Sequence, residues 1–159
     1  MSPPSNDRPS AGPAPGPADL RDRPFFIALS DEQIGHLLEA VIPRSFRQNE
    51  TIVSEGEAGG SLFVILDGLV EIRRGKRVVG AITGEDSMWA IEEGDFFGEM
   101  SLLDYQPRAA TVVAATDVKL LEFPHDKILE LWGADRDLQI VLLTNMARIL
   151  SRRLRRMND

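Results

Sequence analysis

Between residues 44 and 123 the chain alternates short β-rich runs with turn residues, and this rhythm limits the fold more than any other feature. The runs are too short and too regularly spaced to be helices, and breakers such as Asp67-Gly68 and Gly94-Asp95 separate them. Asp67-Gly68 itself predicts a hairpin turn. Eight such strands predict a jelly-roll-like barrel. The predicted strands are 45–47, 51–54, 61–67, 69–73, 77–82, 88–92, 111–114 and 118–123.

A helix is predicted immediately before this β series. Ser30 followed three residues later by Gln33 forms a capping box, which marks a helix start. Apolar residues then recur at helical spacing until Pro43, which ends the pattern. The sequence therefore predicts an amphipathic N-terminal helix over residues 31–41.

Two more helices are predicted after the last strand: a short one over 126–132, ended by Gly133, and a long one over 136–157. The long helix carries a wide apolar stripe, which can pack on the barrel, cover a ligand or pair with a second subunit. The predicted stripe consists of Leu138, Leu142, Leu143, Met146, Ile149, Leu150, Leu154 and Met157. The fold class is therefore α+β, an eight-stranded β-roll with flanking helices.

Residues 1–24 hold seven of the ten prolines, mixed with small and polar residues. Such a segment buries too little apolar surface to offset the entropy lost on ordering. It predicts a disordered tail over 1–24 followed by one domain over 25–159.

Composition excludes several function classes. The absence of cysteine excludes disulfides, zinc–thiolate sites and cysteine catalysis, and His36 and His125 are too far apart in sequence to suggest a metal site. There is neither a long apolar run nor a secretory signal, so we expect a cytoplasmic protein without membrane attachment. A net charge of −7 argues against direct nucleic-acid binding. The arginine-rich last dozen residues either complement the helix dipole or dock an acidic partner.

Residues 96–113 carry the strongest functional signal. Gly98-Glu99 marks a helix start, where free N–H groups favour an anion, and Arg108 can add bidentate donors to the same anion. A carboxylate at Glu99 would repel a bare phosphate but accepts a hydroxyl proton beside one, such as a ribose 2′-OH. Phosphate and sugar together suggest a nucleotide.

This segment resembles the phosphate-binding cassette of cyclic nucleotide-binding domains, as found in regulatory subunits of cAMP-dependent protein kinase. The resemblance rests on the run from Phe97 to Leu103 and on the run from Pro107 to Val112, at fixed spacing. It implies that Glu99 receives the ribose hydroxyl and that Arg108 pairs with the cyclic phosphate. The implied ligand-binding residues are Phe97, Gly98, Glu99, Met100, Ser101, Arg108, Ala109 and Ala110.

The resemblance also implies a ligand preference and an output. Relatives that favour cGMP often carry Thr directly after the cassette Arg, where this chain has Ala109, so we expect cAMP to bind better than cGMP. The long C-terminal helix is expected to move and to supply the residue that covers the base. The candidates for that contact are Leu143, Asn145, Arg148 and Arg152.

We therefore expect a cyclic nucleotide sensor that signals to a protein effector in trans, without a metal. No nucleophile–base arrangement appears in the sequence, so an enzyme is not predicted. The alternatives are an interaction domain with a vestigial site, a fragment of a larger regulator, and a DNA-binding regulator, which the acidic balance disfavours. The oligomeric state stays open, with a homodimer through the C-terminal helix as one form.

Overall fold

The structure, a computed structural model, describes residues 14–80 and 96–158. Within those residues the chain forms five α-helices and eight β-strands. The helices are α1 (Pro17–Leu20), α2 (Asp31–Ala40), α3 (Glu99–Asp104), α4 (His125–Ala134) and α5 (Arg136–Asn158). The strands are β1 (Ile42–Phe46), β2 (Thr51–Val53), β3 (Leu62–Asp67), β4 (Val70–Arg74), β5 (Arg77–Gly80), β6 (Phe96–Phe97), β7 (Thr111–Ala114) and β8 (Val118–Phe123).

The strands pair into two antiparallel four-stranded sheets, in the orders β1-β8-β3-β6 and β2-β7-β4-β5. Strand β3 explains how the sheets pack, because successive side chains of a strand point to opposite faces. Phe63 and Ile65 lie in the core between the two sheets, whereas Leu62 and Val64 lie in a second core beneath the helices. This arrangement confirms the predicted α+β fold with an eight-stranded β-roll.

The segment between α1 and α2 packs on the first sheet through an aromatic cluster of Phe25, Phe26, Phe96 and Phe123. The ring centroids of Phe25 and Phe96 are 5.9 Å apart. Strand β6 therefore has one phenyl ring under the helices, while its other ring, Phe97, stacks on Phe63 between the sheets at 4.9 Å. The start of the cassette is thus fixed from both sides.

The N-terminal predictions are confirmed in part. The capping box forms as expected, since Gln33 N donates to Ser30 Oγ and Ser30 N donates to Gln33 Oε1. The predicted tail is too long, because residues 14–24 include α1 and the fully buried side chain of Leu20. Residues 1–13 lie outside the described residues.

The β predictions need two corrections, and part of them is not tested. Strand β6 was not predicted, because two aromatic residues carry no alternation that can be recognised. The predicted strand 88–92 and the end of 77–82 lie outside the described residues. Asp67-Gly68 is not a hairpin turn, since β3 and β4 belong to different sheets. Gly68 has φ +98°, and a Cβ there would meet the Asp117 carbonyl at 2.3 Å, so glycine is required where the chain crosses between sheets.

The two C-terminal helices differ from the prediction in where α4 ends and in which residues of α5 are buried. Gly133 lies inside α4 and does not end it. Asp135 caps α5 by accepting a hydrogen bond from Leu138 N at 3.0 Å, which lowers the pKa of that carboxyl. Near the end of α5, Leu154 is 61% exposed, and Arg153 is buried where the apolar stripe was expected to continue. Among the described helices, none has the length and apolar character needed to cross a membrane.

Candidate functional site

The backbone of residues 96–111 is shaped by one glycine. Gly98 has φ +88° and connects β6 to the first turn of α3. A Cβ at Gly98 would lie 2.8 Å from Nη1 of Arg108 and 2.8 Å from the carbonyl oxygen of Ser61. Both the left-handed conformation and the close approach require glycine here. The turn therefore places Glu99 directly beside the segment that carries Arg108.

Arg108 is buried although it carries a charge, with 7% of its surface exposed. Its backbone is held by loop 56–57, because Arg108 N donates to Glu57 O at 2.9 Å and Gly56 N donates to Arg108 O at 2.8 Å. The guanidinium lies 5.6 Å from the ring centroid of Phe63. Loop 56–57 thus fixes the Arg108 backbone, and the Phe63 ring of β3 lies beside its guanidinium.

The Arg108 guanidinium is poorly satisfied by the protein. Nη1 donates to Gly98 O at 3.3 Å, and no other hydrogen bond or ion pair joins this guanidinium to residues 14–80 or 96–155. Burial lowers the pKa of Arg108, while the negative charges of Glu122, Glu57 and Glu99 act in the opposite direction. A guanidinium has five N–H donors, so most of them remain available to an anion.

The second charged group of the cassette, Glu99, faces the C-terminal helix. Its Oε1 lies 3.7 Å from Nη1 of Arg153 on α5, and both side chains are largely buried, at 14% and 9% exposure. Arg153 also donates to the Phe96 carbonyl and lies over the Phe96 ring, 4.6 Å from its centroid. One arginine therefore joins α5 to the strand and to the helix start of the cassette.

The remaining predicted cassette residues differ in exposure. Phe97 and Ser101 are buried, Met100 is 47% exposed, and the two alanines after Arg108 are half-buried where the chain enters β7. Phe97 packs between the sheets, so it supports the cassette rather than facing solvent. Ala109 and Ala110 directly follow Arg108, and their side chains are the smallest that carry a Cβ.

The four predicted base contacts lie elsewhere in this conformation. Leu143 packs against the core beneath the helices. Asn145 is buried and donates from Nδ2 to the carbonyls of Phe25 and Ile27 at 2.9 and 2.8 Å. Arg148 and Arg152 line a groove on the side of α5 that faces the N-terminal segment. Among the described residues, none of the four makes a hydrogen bond or ion pair with the cassette.

Three residues that contact the cassette were not singled out from the sequence. Arg153 was hidden because a charged residue in an arginine-rich helix end usually faces solvent. Gly59 lies against Arg108, since a Cβ at Gly59 would be 3.3 Å from its Nε and Nη2. His125 is half-buried, packs on Gly60 and contacts Tyr105 edge-on at 5.2 Å. Of these residues, only the pair Gly59-Gly60 has a local sequence signal, and that signal is typical of a turn.

The described residues contain no group of three or more His, Cys, Asp and Glu side chains that could hold a metal ion. The site contains the buried Arg108 guanidinium, the Glu99 carboxylate and the backbone around Gly98 and Ala109. This set can bind a molecule that carries both an anion and a hydroxyl group.

Comparison with known proteins fits this geometry. The family model of the cyclic nucleotide-binding domain matches residues 43–135. The chain belongs to this family. The matched range runs from β1 to the end of α4 and includes the whole cassette.

Relatives of this cyclic nucleotide-binding domain include regulators of two kinds. A cAMP-dependent protein kinase regulatory subunit of Mycosarcoma maydis is 36% identical over 60% of this chain and 17% of its own length. A CRP-like cAMP-activated global transcriptional regulator of Mycobacterium tuberculosis is 33% identical over 85% of this chain and 57% of its own length. The chain thus spans a little more than half the length of the transcriptional regulator and less than a fifth of the length of the kinase regulatory subunit.

A solved structure is similar along almost the whole domain. The N-terminal domain of a transcriptional regulator from Streptomyces coelicolor superposes with a TM-score of 0.61 at 31% identity, covering 89% of this chain and 93% of that one. This similarity covers 89% of the chain, so it extends beyond residues 43–135, which the family model matches.

Proposed function

We propose that this domain is a cyclic nucleotide sensor, that cAMP is its preferred ligand, and that the position of α5 is its output. The observation that carries the proposal is the buried Arg108 guanidinium, whose single hydrogen bond to the described residues is a 3.3 Å contact with a carbonyl. A buried cation is costly unless it is paired. A cyclic phosphate would supply the charge and the acceptors that the described residues do not.

The ligand would lie across the first turn of α3. The phosphate meets Arg108, with backbone N–H groups near Gly98 and after Arg108 completing its contacts. Glu99 accepts the ribose 2′-OH, since a carboxylate has several acceptor sites. Ala109 has no hydroxyl for the guanine amino group, which supports cAMP over cGMP.

The signal would pass through Arg153. Because its partner Glu99 is also the proposed ribose acceptor, ligand binding changes the environment of an arginine on α5. Ligand shifts a conformational equilibrium only by its difference in affinity for the two arrangements, and a shared carboxylate provides such a difference. Base contact by Leu143, Asn145, Arg148 or Arg152 remains our proposal and requires α5 to shift or rotate from its present position.

We further propose that the receiver is a protein effector and that the domain itself catalyses no reaction. The names of its relatives support a regulatory role, because one is a kinase regulatory subunit and another a cAMP-activated regulator. The net charge of −7 favours a protein effector over direct contact with DNA.

Calorimetric titration with cAMP, cGMP and 5′-AMP tests the ligand assignment. We expect cAMP to bind most tightly and 5′-AMP, which lacks the cyclic phosphate, to bind weakly. At 100 times its dissociation constant, cAMP should add about 2.7 kcal/mol to the free energy of unfolding. If none of the three nucleotides binds, the site is vestigial and the proposal is wrong.

Hydrogen exchange with and without cAMP tests the output separately. We expect protection to rise at residues 96–110 and also along residues 138–157, since α5 shares Glu99 with the ligand. Protection confined to the cassette would leave a binding module without the proposed switch.

A further inference from the structure

A groove of about 450 Å³ lies between the N-terminal segment and the outer side of α5. Its N-terminal wall is formed by Pro24 and Ile27, and Ile149 of α5 contributes a second apolar side chain. Ile27 is 42% exposed, although its carbonyl is fixed by the buried Asn145 amide at 2.8 Å. The groove is therefore preformed, because the segment that builds one wall is anchored to the helix that builds the other.

Three arginines of α5 line this groove, and its described lining includes no carboxylate. Arg148, Arg152 and Arg155 follow each other at four and three residues, which places them on one face of the helix. None of the three forms an ion pair with the described part of the chain. A positive row of this kind stands out in a chain whose net charge is −7.

The spacing selects the occupant. Seven residues of helix rise about 10 Å, so the three charges form a row rather than a single anion pocket. A lone phosphate would satisfy one end of that row and leave the apolar wall uncovered. A helix with carboxylates one turn apart and an aliphatic residue between them matches both the charges and the exposed Ile27 side chain.

We propose that this groove is a docking site for an acidic amphipathic helix of a partner protein. Arginine suits this role, since its planar guanidinium recognises carboxylates bidentately and its stem covers apolar surface. The exposed isoleucine would be the anchor contact, and the arginine row would fix orientation and register.

Binding of defined peptides tests the proposal without cyclic nucleotide, so the result does not depend on the function proposed above. The probe is a labelled, alanine-based helical peptide with glutamates one turn apart and a leucine on the same face. One control peptide carries glutamine in place of every glutamate, and another carries alanine in place of leucine. We expect saturable binding of the probe and at least about tenfold weaker binding of both controls, as loss of charge contacts or of a buried side chain predicts.

Two charge-matched double variants locate the binding surface. Arg148→Glu with Arg152→Glu should weaken probe binding by about tenfold or more, because attraction becomes repulsion along the row. Arg74→Glu with Arg77→Glu changes the net charge equally on the exposed β4–β5 hairpin and should leave binding unchanged. Ile27→Ser should weaken binding without altering charge. Raising salt from about 0.1 M to about 1 M shortens the Debye length from about 10 to about 3 Å and should also weaken binding.

Several outcomes would overturn this inference. Equal binding of the glutamine peptide, or equal loss in the two double variants, would show a non-specific charge effect. The groove would be a membrane contact if vesicles rich in phosphatidylserine bound through Arg148 and Arg152 while the peptide did not. It would be a self-association surface if the unmodified domain dimerised and only the Arg148/Arg152 variant were monomeric in sedimentation.

Discussion

The cassette and the last turns of α5 each bury one arginine to the same extent, but the two regions treat the charge differently. Arg153 has a carboxylate at 3.7 Å, a backbone carbonyl and a phenyl ring around it. Arg108 has one long hydrogen bond to Gly98 and a ring, with no carboxylate paired to it among the described residues. Burial alone therefore does not distinguish a structural cation from a binding one, whereas the number of its partners does.

The difference assigns separate roles to the two regions. A guanidinium that lies beside a carboxylate contributes to stability, and removing Arg153 takes that positive charge away from Glu99. A guanidinium that the protein leaves largely unsatisfied costs stability and gains partners only when an anion arrives. Since Glu99 lies beside both, it is the residue through which the two regions can communicate.

Replacing Arg108 by Ala should have the largest effect on ligand binding. Truncating one partner of a buried charge pair costs about 2–5 kcal/mol, which is about 30-fold or more in the dissociation constant of cAMP. Arg108→Lys should recover only part, because the planar fork is lost. Calorimetry measures this loss, and binding of cAMP to Arg108→Ala within about threefold of the unmodified domain would contradict the assignment.

Without ligand, the same variant should unfold at nearly the same temperature as the unmodified domain. The Arg108 guanidinium donates one long hydrogen bond to the described residues, so its removal leaves few of their polar groups unpaired. A large loss of thermal stability would mean that Arg108 supports the fold, and the contrast between the two arginines would disappear.

A 2′-deoxy analogue of cAMP isolates the proposed ribose contact of Glu99. Loss of a hydrogen bond to a charged group should weaken binding to the unmodified domain by about 1.5–3 kcal/mol. The analogue should lose little more in Glu99→Ala, because that variant has no carboxylate to receive the hydroxyl. Additive losses in the four measurements would show that the hydroxyl and Glu99 do not interact.

Replacing Arg153 by Ala should lower the stability of the fold, whereas Arg108→Ala should weaken ligand binding and leave stability nearly unchanged. The hydrogen bond to the Phe96 carbonyl and the contact with Glu99 are lost together, so the free energy of unfolding should fall by about 2 kcal/mol. Hydrogen exchange should increase along the last turns of α5. A matched control is Arg152→Ala, one residue away but exposed, which should change neither quantity.

How far the sequence could predict these regions depends on the range of the interactions. The β-roll, α2 with its capping box, and the Gly98–Glu99–Arg108 arrangement could be recognised because their signals are local. Period-two runs, a Ser–Gln pair and a fixed spacing all fall within short windows. The family model and the two sheets agree with those local signals.

The contacts that join distant segments could not be predicted. Arg153 meets Glu99 across more than fifty residues, and nothing near position 153 distinguishes it from its exposed neighbours Arg152 and Arg155. The Asn145 amide binds carbonyls of the N-terminal segment for the same non-local reason. Hydrophobic periodicity failed at Leu154 because it places apolar residues on a buried face and cannot foresee a buried cation there.

Replacing Ala109 by Thr should have the smallest effect and should change the cassette alone. The new hydroxyl lies next to Arg108 in the chain and can accept a hydrogen bond from the guanine amino group, so cGMP should bind more tightly by about 0.5–1.5 kcal/mol. Binding of cAMP should change little, because adenine has no amino group at that position. Since Ala109 is half-buried in the segment before β7 and not on α5, we expect protection of α5 in ligand-free hydrogen exchange to stay unchanged. Tighter binding of cGMP than cAMP to the unmodified domain, measured in the same titrations, would reverse the proposed ligand preference. If Ala109→Thr lowered the hydrogen-exchange protection of α5 without ligand, ligand selection and helix position would not be separable, and the two regions would act as one.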